Sequence, residues 1–104
     1  MNIVNAKKWS AELRSGKYKQ IKGALKKNDG FCCLGIAYEC LIGPILGNYS
    51  DDEMAYPKLC NILGIEGTTK YWELNDLKGK SFNEIADVVD GDIAAQERFD
   101  NRQV

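Results

Sequence analysis

Residues 17–35, KYKQIKGALKKNDGFCCLG, decide how this chain folds, because their character changes twice within a short span. Lys17 to Leu25 alternates. Ile21, Gly23 and Leu25 fall on one side and Tyr18, Gln20 and Lys22 on the other, which is the period of a β-strand. Lys26-Lys27-Asn28-Asp29-Gly30 reads as a tight turn, with Gly30 expected to supply the positive φ of the reversal. Phe31-Cys32-Cys33 then returns as a short second strand. From Leu34 to Ile42 the sequence is apolar nearly all round, the pattern of a buried helix that stops at Gly43-Pro44. A hairpin running straight into a buried helix predicts an α+β fold.

Working outward, Ala6, Trp9 and Leu13 recur at helical spacing, with Asn5 as the expected N-cap and Ser15-Gly16 as the stop. Beyond Pro44, residues 45–54 carry Gly47, Asn48, Ser50, Asp51 and Asp52 and read as a loop. Pro57 suits the first position of a short helix that Gly64 can close. Thr68 to Leu74 has strand composition, ended by Asn75-Asp76, and Lys78-Gly79-Lys80 reads as a turn. Ser81-Phe82-Asn83-Glu84 is a complete capping box, and Phe82, Ile85, Ala86 and Val89 form the stripe of the helix behind it. Ile93, Ala94 and Phe99 allow that helix to continue past Gly91, and Asp100 to Val104 is expected to fray. The expected architecture is one domain over residues 1–104: a short hairpin or small antiparallel sheet packed with about four helices.

The totals agree. A chain of 104 residues with 44% apolar content can bury one core without staples. No run approaches the ~18 apolar residues of a membrane span, and residues 1–5 are too short and polar for a secretory core segment. A cytosolic protein without a membrane partner is therefore expected. Cys32, Cys33, Cys40 and Cys60 match no metal spacing and are expected to be free thiols, largely buried. There is no histidine, the commonest general base and zinc ligand. No cofactor or metal site is expected.

Net charge is −1, so duplex nucleic acid is not an expected partner. The distribution is uneven. Residues 1–30 hold eight basic and two acidic groups, a net +6, and the remainder nets −7. That split fits an anionic ligand near the first third, head-to-tail self-association as a homo-oligomer, or mutual neutralisation within one fold. Lys17, Lys19 and Lys22, interleaved with Tyr18 and Gln20, could hold a phosphate-bearing ligand. Lysine supplies point charge, the tyrosine ring stacks, and glutamine reads an edge. The competing reading is a solvated edge strand that lysines protect from aggregation. Trp72, beside Tyr71 and near Asn75, could form a stacking wall, though aromatics at this spacing also serve as core. Asp76 is either a turn residue or, with Asp87 and a metal, half of a converging carboxylate pair.

Taken together, Trp9, Leu13-Arg14-Ser15-Gly16-Lys17-Tyr18-Lys19-Gln20, Gly23-Ala24-Leu25, Phe31 to Gly35, Leu74-Asn75-Asp76 and Ser81 to Asp87 resemble a family of small uncharacterised proteins of tailed bacteriophages and prophages. The resemblance spans residues 9–90 and brings no assigned catalytic residues. Its genomic setting implies a counter-defence role in the host cytosol. The leading expectation is a non-enzymatic binding protein that sequesters a cyclic or ADP-ribose-type nucleotide through Lys17, Tyr18, Lys19, Gln20, Lys22, Trp72, Asn75 and Asp76. The alternatives are an inhibitor that binds a host defence protein, and a metal-dependent nucleotide phosphodiesterase.

Overall fold

The expected strand over residues 17–25 is broken into two. A computed structural model describes residues 1–50 and 54–102; Asp51-Asp52-Glu53, in the segment expected to be loop, and residues 103–104, in the segment expected to fray, lie outside the described residues. β1 is Lys19–Gln20 and β2 is Ala24–Lys27. Between them the backbone turns at Gly23, whose φ of +79° only glycine adopts at little cost. β2 then reverses into β3, Gly30–Phe31, through Asn28 and Asp29, which both have positive φ. These are the two central residues of a type I′ hairpin turn, so the expected turn is present and Gly30 is not its left-handed residue. Gly30 is required for another reason: a Cβ there would collide with the Ile21 side chain.

β3 pairs with β1 in parallel and with β2 antiparallel, and β2 also pairs antiparallel with β4, Tyr49–Ser50. The sheet is therefore mixed, in the order β1-β3-β2-β4, and β4 lies in a segment expected to be loop. Parallel pairing of β1 needs the chain to cross over rather than turn back, which the break at Gly23 permits.

Phe31 ends the sheet, and Cys32 serves as N-cap of α2 (Cys33–Leu41), its Sγ accepting from the Gly35 amide at 3.3 Å. Cys33 is thus helical rather than extended. Gly35 lets α2 lie directly on β2, since a Cβ there would strike the Leu25 carbonyl. α1 (Ile3–Arg14) is capped by Asn2, three residues before the expected cap Asn5. Asn2 Oδ1 accepts from the Asn5 amide at 3.0 Å, while Asn5 Nδ2 donates to Ile62 O at 2.7 Å. Ala6, Trp9 and Leu13 are buried as their spacing predicts. Trp9 is fully buried, meets Tyr71 edge-on at 5.0 Å and donates its indole N–H to Cys33 O at 2.9 Å.

α3 (Ala55–Leu63) begins two residues before Pro57, which takes its third position; the missing N–H costs nothing within the first turn. Gly64 closes it at φ +63°. The segment of strand composition is instead α4, Thr69–Asp76. Tyr71, Leu74 and Asn75 are its buried residues, with the N-cap Thr68 buried before them, a helical spacing that pulls the β-branched and aromatic composition into a helix against Trp9. α5 runs Phe82–Arg102. Its capping box is in place: Glu84 N donates to Ser81 Oγ, and Ser81 N to Glu84 Oε1, both at 3.1 Å. The protein is α+β, with five helices among the described residues. Trp9, Leu25, Leu34, Ile36, Leu59, Leu63, Ile85 and Val89 form the centre of its core.

Candidate functional site

Two segments that are distant in sequence meet beside β1. Gln20, Ile21 and Lys22 form one wall of an open cleft of about 230 Å³; Asn75 of α4 and Gly79-Lys80 of the α4–α5 turn form the other. Gly79 turns at φ +62°, and the Lys80 amide donates back to Leu74 O at 3.0 Å, which fixes the second wall.

Asn75 holds the walls together. It has no exposed surface. Its Oδ1 accepts from Gln20 Nε2 at 2.9 Å and from the Cys33 amide at 3.2 Å. Its Nδ2 donates to Ile21 O at 2.8 Å and to Asp76 Oδ1 at 2.7 Å. Both donors and both acceptor positions of the amide are used, so Asn75 positions its neighbours and has no donor to spare. Gln20 Nε2 spends its second hydrogen on Lys80 O at 2.8 Å, and Asp76 Oδ2 accepts from the Gly23 amide at 3.2 Å. The polar floor of the cleft is thus pre-ordered by the fold. The side chains of Lys22 and Lys80 supply its positive charge, with the Lys80 ammonium 3.9 Å from Glu84.

The structure brings Gln20, Lys22, Asn75 and, behind them, Asp76 together. It does not bring the other sequence-predicted residues to this cleft. Lys17 lies 3.5 Å from Glu12, and the Tyr18 hydroxyl donates to Glu12 at 2.8 Å. The Tyr18 ring meets Phe31 edge-on at 5.0 Å, so it packs with the core edge rather than lining the cleft. Burial, reinforced by the bond to Glu12, holds its proton far above the ordinary phenol range. Lys19 is exposed on β1, and Trp72 is half-buried against the core. Lys80 was not singled out from the sequence. Its turn, Lys78-Gly79-Lys80, is legible there, but its position opposite Lys22 is not.

The charge split is partly settled within the molecule. Arg14 bridges Asp87 at 2.6 Å and Asp90 at 2.7 Å, and Lys7 lies 3.9 Å from Glu97, so α5 neutralises α1. Partial burial pushes the Asp90 carboxyl up, but the Ser10 hydroxyl and the Arg14 guanidinium outweigh it and hold the group below its ordinary value. Lys19, Lys22 and Lys27 have no acidic partner within 4.0 Å among the described residues. Lys8 of α1 is likewise unpaired among the described residues, so the positive excess survives on the sheet side and at that one position of α1.

None of the four cysteines is in a disulfide. Cys33 Sγ donates to Tyr71 O at 3.4 Å, and complete burial pushes its thiol well up. Burial, followed by the charge of Glu12, pushes Cys40 up to about 11. Neither has the lowered pKa that a reactive thiol needs. Asp76 is bonded to Gly23 and Asn75, and Asp87 to Arg14. Among the described residues no group of three His, Cys, Asp or Glu is placed to hold a metal, and no helix is long and apolar enough to cross a membrane.

No curated protein and no solved structure matches the chain. Over residues 1–43, which take in α1, β1 to β3, α2 and the Gln20–Lys22 wall of the cleft, the chain is similar to the family described as "Domain of unknown function (DUF8296)".

Proposed function

We propose that this protein binds a small phosphate-bearing ligand, a cyclic or ADP-ribose-type nucleotide, in the cleft between β1 and the α4–α5 turn. In this reading it acts by sequestration, without covalent chemistry. One observation carries the proposal: Lys22 and Lys80, 58 positions apart in the chain, flank a polar floor already fixed by Asn75 and Gln20. A pre-ordered floor lowers the entropic cost of binding, and cations at the rim attract an anion. The counter-defence setting and the host cytosol rest on the resemblance to phage proteins. Calorimetric titration with 3′,3′-cyclic di-AMP and ADP-ribose tests the reading. Lys22→Ala and Lys80→Ala are each expected to weaken binding about tenfold, the scale of one lost charge-assisted contact. Lys17→Ala, whose lysine does not line the cleft, should leave it unchanged. No heat with either nucleotide would reject the proposal.

A second reading, inhibition of a host defence protein by surface contact, draws on Leu77, which is 70% exposed between the cleft residues Asn75 and Gly79. Capture of a host protein that Leu77→Ser abolishes and the two lysine variants leave intact would favour it.

A further inference from the structure

The cleft at Lys22 has a neighbour. A second open cleft, of about 270 Å³, lies between β2 and β4 and is lined by Gly23, Ala24, Lys26, Lys27, Asn48 and Ser50. The two meet in the chain at one peptide bond, since Lys22 lines the first and Gly23 the second. They also meet in space at Asp76, which follows Asn75 of the first cleft and accepts from the Gly23 amide of the second.

The second cleft is built as well as lined. β2 and β4 fall out of register between Ala24 and Lys26, and that irregularity is where the cleft opens. Asn48 Oδ1 accepts from the Asn28 amide at 3.1 Å, which ties the β4 side to the hairpin turn. Lys26 is committed to the fold: its ammonium donates to Ile45 O at 2.7 Å and sits 5.2 Å from the centre of the Phe31 ring. Lys27 is exposed at the end of β2 and is the cation left for a ligand there.

Size decides how the clefts should be read. Pockets that bury most of a drug-sized ligand have volumes of roughly 300–1,000 Å³, so each of these smaller open clefts would seat one part of a larger ligand and leave the rest outside. A cyclic dinucleotide carries two phosphate groups separated by a nucleoside. Two lysine-edged clefts, whose linings adjoin at Lys22 and Gly23, repeat that layout.

We propose that the two clefts form one bipartite site for a dinucleotide, with one phosphoryl group at Lys22 and Lys80 and the second at Lys27. The inference rests on the reading of the first cleft as an anion site. The test compares AMP with 3′,3′-cyclic di-AMP by calorimetry on the full chain and on Lys22→Ala, Lys27→Ala and Lys27→Arg. Circular dichroism and a melting curve confirm that each variant is folded. Cyclic di-AMP is expected to bind at least tenfold tighter than AMP. Lys27→Ala should remove that advantage and leave AMP unchanged, Lys27→Arg should restore it, and Lys22→Ala should weaken both ligands. If AMP binds and Lys22→Ala weakens it, but cyclic di-AMP has no advantage or Lys27→Ala has no selective effect, the bipartite site is overturned and the first cleft stands. If neither ligand binds, both fall.

Discussion

Asn75 carries more of this structure than its place in the sequence announces. As one residue after Leu74 it reads as an element end. In the fold it joins β1, the β1–β2 turn, the first residue of α2 and α4 through four hydrogen bonds while being wholly buried. Asn75→Ala would leave the Cys33 amide and the Ile21 carbonyl without partners, at about 1–3 kcal/mol for each buried group. The expected loss is about 2–4 kcal/mol in a urea unfolding titration, with the cleft opened as a consequence. A loss below about 1 kcal/mol would show that water replaces the amide and that the walls are not held by it. The residue type was visible in the sequence; its partners were not, because they lie 42, 54 and 55 positions away.

The two longest misreadings concern whole elements, and both have the same origin. Residues 17–25 alternate as a strand does, yet alternation does not say whether neighbouring strands can pair along the whole length. The chain breaks at Gly23, so that β1 lies parallel to β3 while β2 lies antiparallel to it. Thr68 to Leu74 has β-prone composition but becomes α4, because burying Tyr71, Leu74 and Asn75 together needs a helical period. α5 is the opposite case. Its capping box and apolar stripe are local signals, and both are realised. Within it Gly91 is exposed, and a Cβ there would meet nothing within 4 Å. Gly91→Ala should therefore stabilise the protein by about 0.5–1 kcal/mol, mainly by restricting the unfolded chain. At this chain length that raises the melting temperature by about 3–6 °C. An unchanged or lower melting temperature would mean that α5 is not continuous through Gly91.

At the scale of the molecule, the opposed charges of the two halves become a contact between α1 and α5 plus a residue of lysines at the sheet. The α1–α5 contact is sensitive to acid. Asp90 has a folded pKa below its unfolded value of about 3.9, so its stabilisation is present above about pH 4 and fades as pH falls through the folded value. Asp90→Asn mimics the protonated form. It should lower stability by about 1 kcal/mol at pH 7, less at high salt because Arg14 is exposed, and the gap to the wild type should close as the pH drops below 4. Melting curves at pH 7, 5 and 3 check this, and a gap that is independent of pH would assign the effect to packing. By itself the sequence determined the α+β class, the helices at Trp9 and Ser81, the presence of a hairpin turn within residues 26–30 and the burial of Cys32 and Cys33. Each of these depends on neighbours within a few residues, where side-chain period and backbone capping act directly. Only the tertiary structure decided the break at Gly23, the helical state of Thr69–Asp76 and the meeting of Gln20 and Lys22 with Asn75 and Lys80. Those follow from which surfaces can be buried together, and the free energy of that burial belongs to pairs of segments far apart in the chain.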